Sequence, residues 1–393
     1  MISRFVLAVG LAVLMVLSGV GSYMYLGSRQ SNLTAPPQEP TQASPSPGAF
    51  NLGGTIFLTQ SGAIYSLSAG RFHQLTPAAG WTQLAPYPGN NLLAVKRSLL
   101  YSDIYVVSRL GRPIRSLTHN NPEPPRNPDT GARHWSFYPR LSYNNKTLFM
   151  SYDKPKIGFD VPMSIWAVPL GGDVRKVRAP WTVSIDYTGG DMQPLPLKSG
   201  ALIYTKYQYY NQKIVSQIWI TNQPEVFYRC GEFCMSVPPG PGHGRPLTRP
   251  DEDCAQPSLS PNGKAIAMIC THQTQVSYLV LASFNGSSLG VRRNLITNQL
   301  VAQPTWAPDS SGIAYLAPAQ LGQGFQLWFL PKLAYAPPPP SPVPTVIPTP
   351  GGPVSSPVPS PTPSAVPPPV VVRPIQMTTN LGFDATSPMV WIP

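Results

Sequence analysis

Short runs of β-branched and aromatic residues, rather than long amphipathic stretches, dominate the chain from Gly53 onward. Thr55-Ile56-Phe57-Leu58, Ala63-Ile64-Tyr65-Ser66-Leu67 and Ile104-Tyr105-Val106-Val107 are each bounded by Gly, Pro, Asn or Ser, the punctuation that separates strands from turns. No stretch after residue 26 sustains an apolar period of 3.6, so the pattern alone predicts an all-β class.

The N-terminus follows a different rule. Phe5 to Leu26 is uncharged and mainly apolar, about the length that crosses a hydrocarbon core. The expectation is a signal-anchor or transmembrane segment over 1–30, with Arg4 on the inner side and the bulk of the chain outside the cytoplasm. Gly19-Val20-Gly21 or Val20-Gly21-Ser22 offers a small-x-small cleavage site, and cleavage would make the product secreted. Residues 31–52, with Ser31 to Pro47 rich in Pro, Ser, Thr and Gln, read as a solvated spacer that stands the domain off the membrane.

Within 53–393 one pattern recurs: a Pro before a short strand, a turn, then an apolar strand. Gln256-Pro257-Ser258-Leu259-Ser260-Pro261-Asn262-Gly263 leads into Ala265-Ile266-Ala267-Met268. Gln303-Pro304-Thr305-Trp306-Ala307-Pro308-Asp309-Ser310-Ser311-Gly312 leads into Ile313-Ala314-Tyr315. Looser copies open at Tyr138-Pro139, Gln193-Pro194 and Thr82-Gln83. Pro presets the turn entry and Gly or Asn accepts a positive φ, so each copy predicts a hairpin. Leu75-Thr76, Leu117-Thr118 and Leu247-Thr248, with Ile296-Thr297 as a variant, close the repeats.

These motifs resemble the TolB-like β-propeller family, whose repeat reads roughly Pro-x-Trp/Phe-Ser-Pro-Asp-Gly and often ends in Leu-Thr. In this sequence the positions that carry the resemblance are Pro139, Pro257, Asn262, Gly263, Pro304, Trp306, Asp309, Pro388 and Trp391. Successive motifs lie roughly 50 to 60 residues apart, the spacing of four-stranded blades with variable loops. Five blades follow directly. The segment from Gly54 to Thr76 has three strand-like runs and no opening motif, while Ser387-Pro388-Met389-Val390-Trp391-Ile392 is an opening motif with nothing after it. Joined, they make a sixth blade, and closing the ring leaves no long exposed sheet edge. The predicted fold is therefore a six-bladed β-propeller of four-stranded antiparallel blades. The Pro-rich run at 336–374 becomes an insertion within the last blade, a spacer or docking excursion rather than a linker.

Composition changes the picture in two respects. With 28 Lys+Arg against 16 Asp+Glu the formal charge is +12, yet the basic residues are scattered singly and in pairs, without the stripe a phosphate track needs, so nucleic acid is not an expected partner. The 4 cysteines suit an oxidising compartment. Cys254 and Cys270 flank the Asn262 turn symmetrically and are expected to pair, with Cys230 and Cys234 as a second disulfide; a zinc site is the alternative.

Catalytic signatures are sparse. Gly286-Ser287-Ser288-Leu289-Gly290 spells a nucleophile elbow but lies between strands, where no strand-to-helix turn is expected. The five histidines, His73, His119, His134, His243 and His272, lack metal-ligand spacing. No cofactor is expected, Asp251-Glu252-Asp253 offering at most a weak Ca²⁺ loop. Tyr207, Tyr209, Tyr210, Trp135, Phe137 and Trp181 are candidates for a recognition surface. Two function classes remain. One is a monomeric, non-enzymatic binding or scaffold module of the bacterial cell envelope, taking a protein, peptide or glycan on a propeller face. The other is a hydrolase or lyase acting on an extracellular polymer. The discriminator is whether two or more of Asp186, Asp191, Asp251, Asp253 and Asp309 meet within about 10 Å at one channel mouth, as paired-carboxylate chemistry requires.

Overall fold

The apolar runs become strands that are buried on both faces. In the computed structural model, which describes residues 52–121, 133–154, 163–184, 188–225, 244–272, 276–297, 299–332 and 373–393, β1 (Thr55–Gln60), β2 (Ala63–Ser68) and β3 (Arg71–Gln74) form the first three-stranded meander. The later meanders are β4 (Trp81–Tyr87) to β7 (Pro113–Ser116) through β5 (Asn91–Arg97) and β6 (Ser102–Val107), and β8 (Ser136–Leu141), β9 (Thr147–Tyr152) and β10 (Ser164–Pro169). Next come β11 (Asp191–Pro196), β12 (Leu202–Tyr210), β13 (Lys213–Thr221) and β14 (Arg245–Pro246), then β15 (Cys254–Leu259), β16 (Ala265–Cys270), β17 (Tyr278–Phe284) and β18 (Leu289–Ile296). The last are β19 (Ala302–Trp306), β20 (Gly312–Pro318), β21 (Phe325–Pro331), β22 (Ile375–Gln376) and β23 (Val390–Ile392). They assemble into six antiparallel sheets, a six-bladed propeller.

Each strand feeds two interfaces at once. Along β5, Leu93 and Val95 pack with Leu148, Met150 and Trp166 of the third blade, while Leu92 and Ala94 pack with Phe57 and Ile64 of the first. Alternating residues thus serve opposite neighbours, and the strand reads as a continuous apolar run for the same reason that strands covered on both faces do. A hydrophobic cluster fills every one of the six interfaces between adjacent blades. Outer strands such as Arg71–Gln74 and Pro113–Ser116 are largely solvent-facing and polar accordingly.

The ring closes through its last residues. β23 pairs antiparallel with β1, Trp391 opposite Ile56 and Val390 opposite Phe57, giving the first sheet the order β23-β1-β2-β3. β22 pairs with β21, Gln376 opposite Trp328, so the last blade is completed on the far side of the 336–374 segment, most of which, with Phe5 to Leu26, lies outside the described residues.

One blade departs from the expected four strands: among the described residues the third sheet contains only β8, β9 and β10. Where an outer strand is expected, Asp173 caps a 3-10 turn at Val174–Lys176 through its side chain and Pro180 follows, removing a backbone donor. The blade nonetheless ends as the others do. Trp181 N–H donates to Ile165 C=O at 2.6 Å and Ile165 N–H donates to Thr182 Oγ1 at 3.1 Å. Leu75-Thr76 makes the same two bonds to Ile64, as do Leu117-Thr118 to Ile104, Leu247-Thr248 to Ile218 and Met377-Thr378 to Leu327. The Leu-Thr signature is thus a lock on the third strand, the threonine hydroxyl standing in for a carbonyl that the ending outer strand no longer supplies.

Candidate functional site

The innermost strand of five of the six blades carries a bulge. Pairing slips between Thr82 and Ala85, Phe137 and Arg140, Met192 and Leu195, Ala255 and Ser258, and Ala302 and Thr305. The prolines Pro139, Pro257 and Pro304 therefore sit inside the strand at the slip, not ahead of it. The residue at each slip, Gln83, Tyr138, Gln193, Gln256 or Gln303, holds a left-handed φ of 50, 50, 57, 56 and 51°. A non-glycine residue pays about 1–3 kcal/mol for such a backbone, which persists only where its surroundings hold it.

What holds it is a ring of hydrogen bonds. Tyr138 N–H donates to Gln83 Oε1 at 2.9 Å, Gln256 N–H to Gln193 Oε1 at 2.9 Å, and Gln303 N–H to Gln256 Oε1 at 2.6 Å. The Tyr138 phenol hydrogen-bonds the Gln193 side chain, and burial pushes its acidity well below that of an ordinary phenol. Gln303 Nε2 donates to Ala385 C=O at 2.9 Å, and Gln83 N–H donates to Ser387 Oγ at 2.7 Å. The circuit touches all six blades: Gln83, Tyr138, Gln256 and Gln303 each present a backbone N–H to a side chain of the blade before, while the Tyr138 phenol and the Ala385 carbonyl make the other two links.

Below this ring lies the central channel, a cavity of about 330 Å³ bordered by inner-strand residues of several blades. Its wall mixes amides and hydroxyls (Gln193, Gln256, Gln303, Ser258, Thr305) with apolar rings and chains, among them Pro194, Pro257, Pro304, Pro388, Leu259, Met389 and the indoles Trp306 and Trp391. Trp306 Nε1 donates to Ser258 C=O at 3.0 Å and Trp391 Nε1 to Gly53 C=O at 2.9 Å, fixing both indoles. Among the described charged residues only Arg140 borders the cavity. Asn262 and Asp309 close the hairpin turns: Asn262 Oδ1 accepts from Ser260 Oγ and Lys264 N–H, with Gly263 at φ 71°, and Asp309 Oδ1 accepts Ser311 N–H. Hydrogen bonds from the Ser311 side chain and then its N–H hold the Asp309 carboxyl below the usual range.

The acids are placed elsewhere, each with its own partner. Asp191 Oδ1 takes Lys206 Nζ at 2.8 Å in a fully buried pair, and burial pushes its pKa up to about 6. Asp253 Oδ1 takes Ser216 N–H and Oγ, and its Oδ2 takes Thr271 Oγ1, tying the fourth blade to the fifth. Asp251 pairs with Arg249 at 3.1 Å, and Glu252 with Arg292 and the Arg249 N–H. Glu225, between the third and fourth blades, takes Val183 N–H, Gly244 N–H and Tyr204 O–H. Asp186 lies outside the described residues, and none of Asp191, Asp251, Asp253 and Asp309 borders the channel. Among the described residues no group of three His, Cys, Asp or Glu has the arrangement to hold a metal ion.

The remaining sequence candidates do not converge on one surface. Trp135 stacks on Phe137 and carries the Arg97 guanidinium 5.6 Å from its ring, while Trp181 packs edge-on against Phe149 inside the third blade. Tyr207 and Tyr209 belong to the long β12–β13 hairpin. His134 Nδ1 meets Asp153 Oδ1 at 2.8 Å and its ring packs on Tyr152, and His272 packs on Tyr278. Ser287 lies in the β17–β18 turn, bonded to Asn285, with no helix after it. Cys254 faces Cys270 across the β15–β16 ladder with the sulfurs 2.04 Å apart; Cys230 and Cys234 lie outside the described residues. Sequence reasoning missed Arg140 and the role of the glutamines, although Gln recurs at the same position before Pro194, Pro257 and Pro304, a signal in the repeat itself.

No protein-family model matches the sequence, and no curated protein matches it. Among solved structures the chain is similar to TolB from Acinetobacter baumannii, at 16% identity and a TM-score of 0.47, over 72% of this chain and 62% of that one. The chain thus spans less than two thirds of that protein. It is also similar to a protein described as TolB from Agrobacterium tumefaciens, at 10% identity and a TM-score of 0.47, over 86% of this chain and 97% of that one. A gluconolactonase from Xanthomonas campestris is similar at 10% identity and a TM-score of 0.41, over 73% and 85%. These likenesses concern the fold alone.

Proposed function

We propose that the chain is a non-enzymatic binding or scaffold module of the cell envelope, held outside the cytoplasm by the segment Phe5 to Leu26 and taking its ligand at the central channel. The observation that carries this reading is the division of labour among polar side chains. The carboxylates of Asp253, Glu225 and Asp309 serve turns and interfaces between blades, whereas the channel wall offers neutral amides, hydroxyls and fixed aromatic rings. Such a wall recognises by hydrogen bonding and apolar contact, the composition of binding pockets in general. Hydrolysis of a polymer by paired carboxylates needs acids converging on the ligand, and the acids here are committed to other bonds.

The test is a photo-crosslinking residue in place of Ser258, on the channel wall, in the full chain in its native membrane. The expected result is one adduct of discrete mass whose yield saturates with ligand and falls when the channel is filled by a bulky Thr305→Trp change on the same wall. Absence of a saturable adduct, or release of polymer fragments by the purified chain, overturns the reading.

A further inference from the structure

Among the described residues Arg140 is the only charged one on the wall of the central channel. It projects from β8, one position after Pro139, at the bulge of the third blade. A guanidinium has five N–H donors and no acceptor. Both hydrogen bonds made by this one leave from the same nitrogen, Nη1, to the carbonyls of Leu84 at 3.0 Å and Pro139 at 3.5 Å. The second is at the limit of a hydrogen bond. Among the described residues no carboxylate pairs with it, in contrast to Arg175, Arg249 and Arg292, which all have an acid partner.

A charge enclosed by protein without a counter-charge is costly, and native structures normally supply a partner. Burial holds the Arg140 guanidinium down at about 10, still charged at neutral pH. The residue is partly accessible and borders the cavity. We infer that Arg140 anchors a carboxylate inside the channel, its free Nη2 and Nε donors gripping the two carboxylate oxygens while the neutral wall receives the rest of the ligand.

Three features select a carboxylate among anions. Among the described residues the wall carries one positive charge, which balances a monoanion and leaves half of a phosphate dianion's charge uncompensated. The planar fork of the guanidinium matches two coplanar oxygens. The cavity, about 330 Å³, lies at the small end of ligand sites, and its prolines, Leu259 and Met389 suit a short apolar body behind the acid head. The carboxylate has two possible sources, a free small acid or the acid group of a longer chain threaded into the channel. This inference rests on the channel being the binding site and adds the chemistry that it recognises.

The probe is trifluoroacetate, followed by fluorine NMR in the presence of the full chain in neutral detergent. Saturable line broadening is expected, absent for the neutral trifluoroacetamide. Arg140→Gln should weaken binding at least tenfold, and Arg140→Lys, which keeps the charge but loses the fork, should fall between the two. Near-ultraviolet circular dichroism checks that both variants keep the propeller. Competition separates the sources: displacement by the tripeptide acid Gly-Leu-Gly at tenfold lower concentration than by acetate assigns the group to a chain, and equal displacement assigns it to a small solute, the site standing in either case. Broadening that does not saturate, or that is unchanged in folded Arg140→Gln, overturns the inference. Because the Ser258 crosslink reports any channel ligand whatever its charge, its success alongside a failed fluorine titration would sink the carboxylate and spare the binding role.

Discussion

The Gln83 backbone N–H donates to the Ser387 hydroxyl at 2.7 Å, joining residues 304 positions apart. It is the link at which the C-terminal segment enters the ring of bulge-to-bulge hydrogen bonds. Ser387 is 1% exposed, so Ser387→Ala strands a buried donor and should cost about 1–3 kcal/mol. Gln256→Ala removes the acceptor for Gln303 N–H and should cost a similar amount. The two sites lie on different arcs of one circuit. If the ring acts as a unit, the double variant loses less than the sum of the singles, because the first break has already relaxed the strained bulges. Urea unfolding of the four proteins measures this, and strict additivity would show independent local bonds.

Ring closure was legible in the sequence because the missing piece and the surplus piece had the same spelling. Ser387-Pro388 followed by Trp391 repeats the opening of the inner strands, and Thr55–Gln60 had no such opening. The Gln side chains were legible as a recurrence but not as a ring: their reach to the next blade depends on a left-handed backbone before proline, which local preference argues against. Arg140 reads in isolation as one more scattered basic residue, and only the convergence of the inner strands puts it on the channel wall. The third blade misled for a local reason, the Asp173 cap and Pro180 replacing a strand that spacing alone would supply.

Trp391 tests closure through packing. It is 8% exposed, stands edge-on to Phe329 and joins the cluster between the last and first blades. Trp391→Ala should cost about 3–5 kcal/mol, the range for emptying a large aromatic site. Deleting Asp384 to Pro393 should do more, since it exposes the β1 edge as well and removes both ring bonds at that end. Thermal unfolding followed by tryptophan fluorescence reads both, and an unchanged transition in the deletion would sink the shared first blade.

The Cys254–Cys270 link should matter mainly to the unfolded chain. The bridge spans 16 positions, a loop for which chain entropy gives about 3 kcal/mol. Reduction, or Cys254→Ala with Cys270→Ala, should lower stability by up to that amount while leaving the ladder between β15 and β16 in place. Denaturation with and without reductant measures the difference. Equal midpoints would mean that the cross-strand packing of this pair, not the bond, carries its contribution.

Asp191 gives the fold a dependence on pH whose sign is fixed by burial. Its side chain is fully buried beside Lys206, and loss of hydration raises its pKa to about 6, more than the neighbouring ammonium lowers it. An acid that holds its proton more tightly folded than unfolded adds stability below the ordinary carboxylate range, and that contribution is lost as pH rises through about 6. Between pH 4 and 7 the wild-type chain should therefore lose stability from this residue as pH rises. Asp191→Asn removes the titrating group, so the slope over that window should flatten. Asparagine is close in shape to the protonated carboxyl, so the variant should match wild type near pH 4 and be the more stable of the two at neutral pH. Urea midpoints at several pH values between 4 and 7.5 decide it: parallel profiles for the two proteins would show that Asp191 stays ionised throughout, with the Lys206 field outweighing the burial.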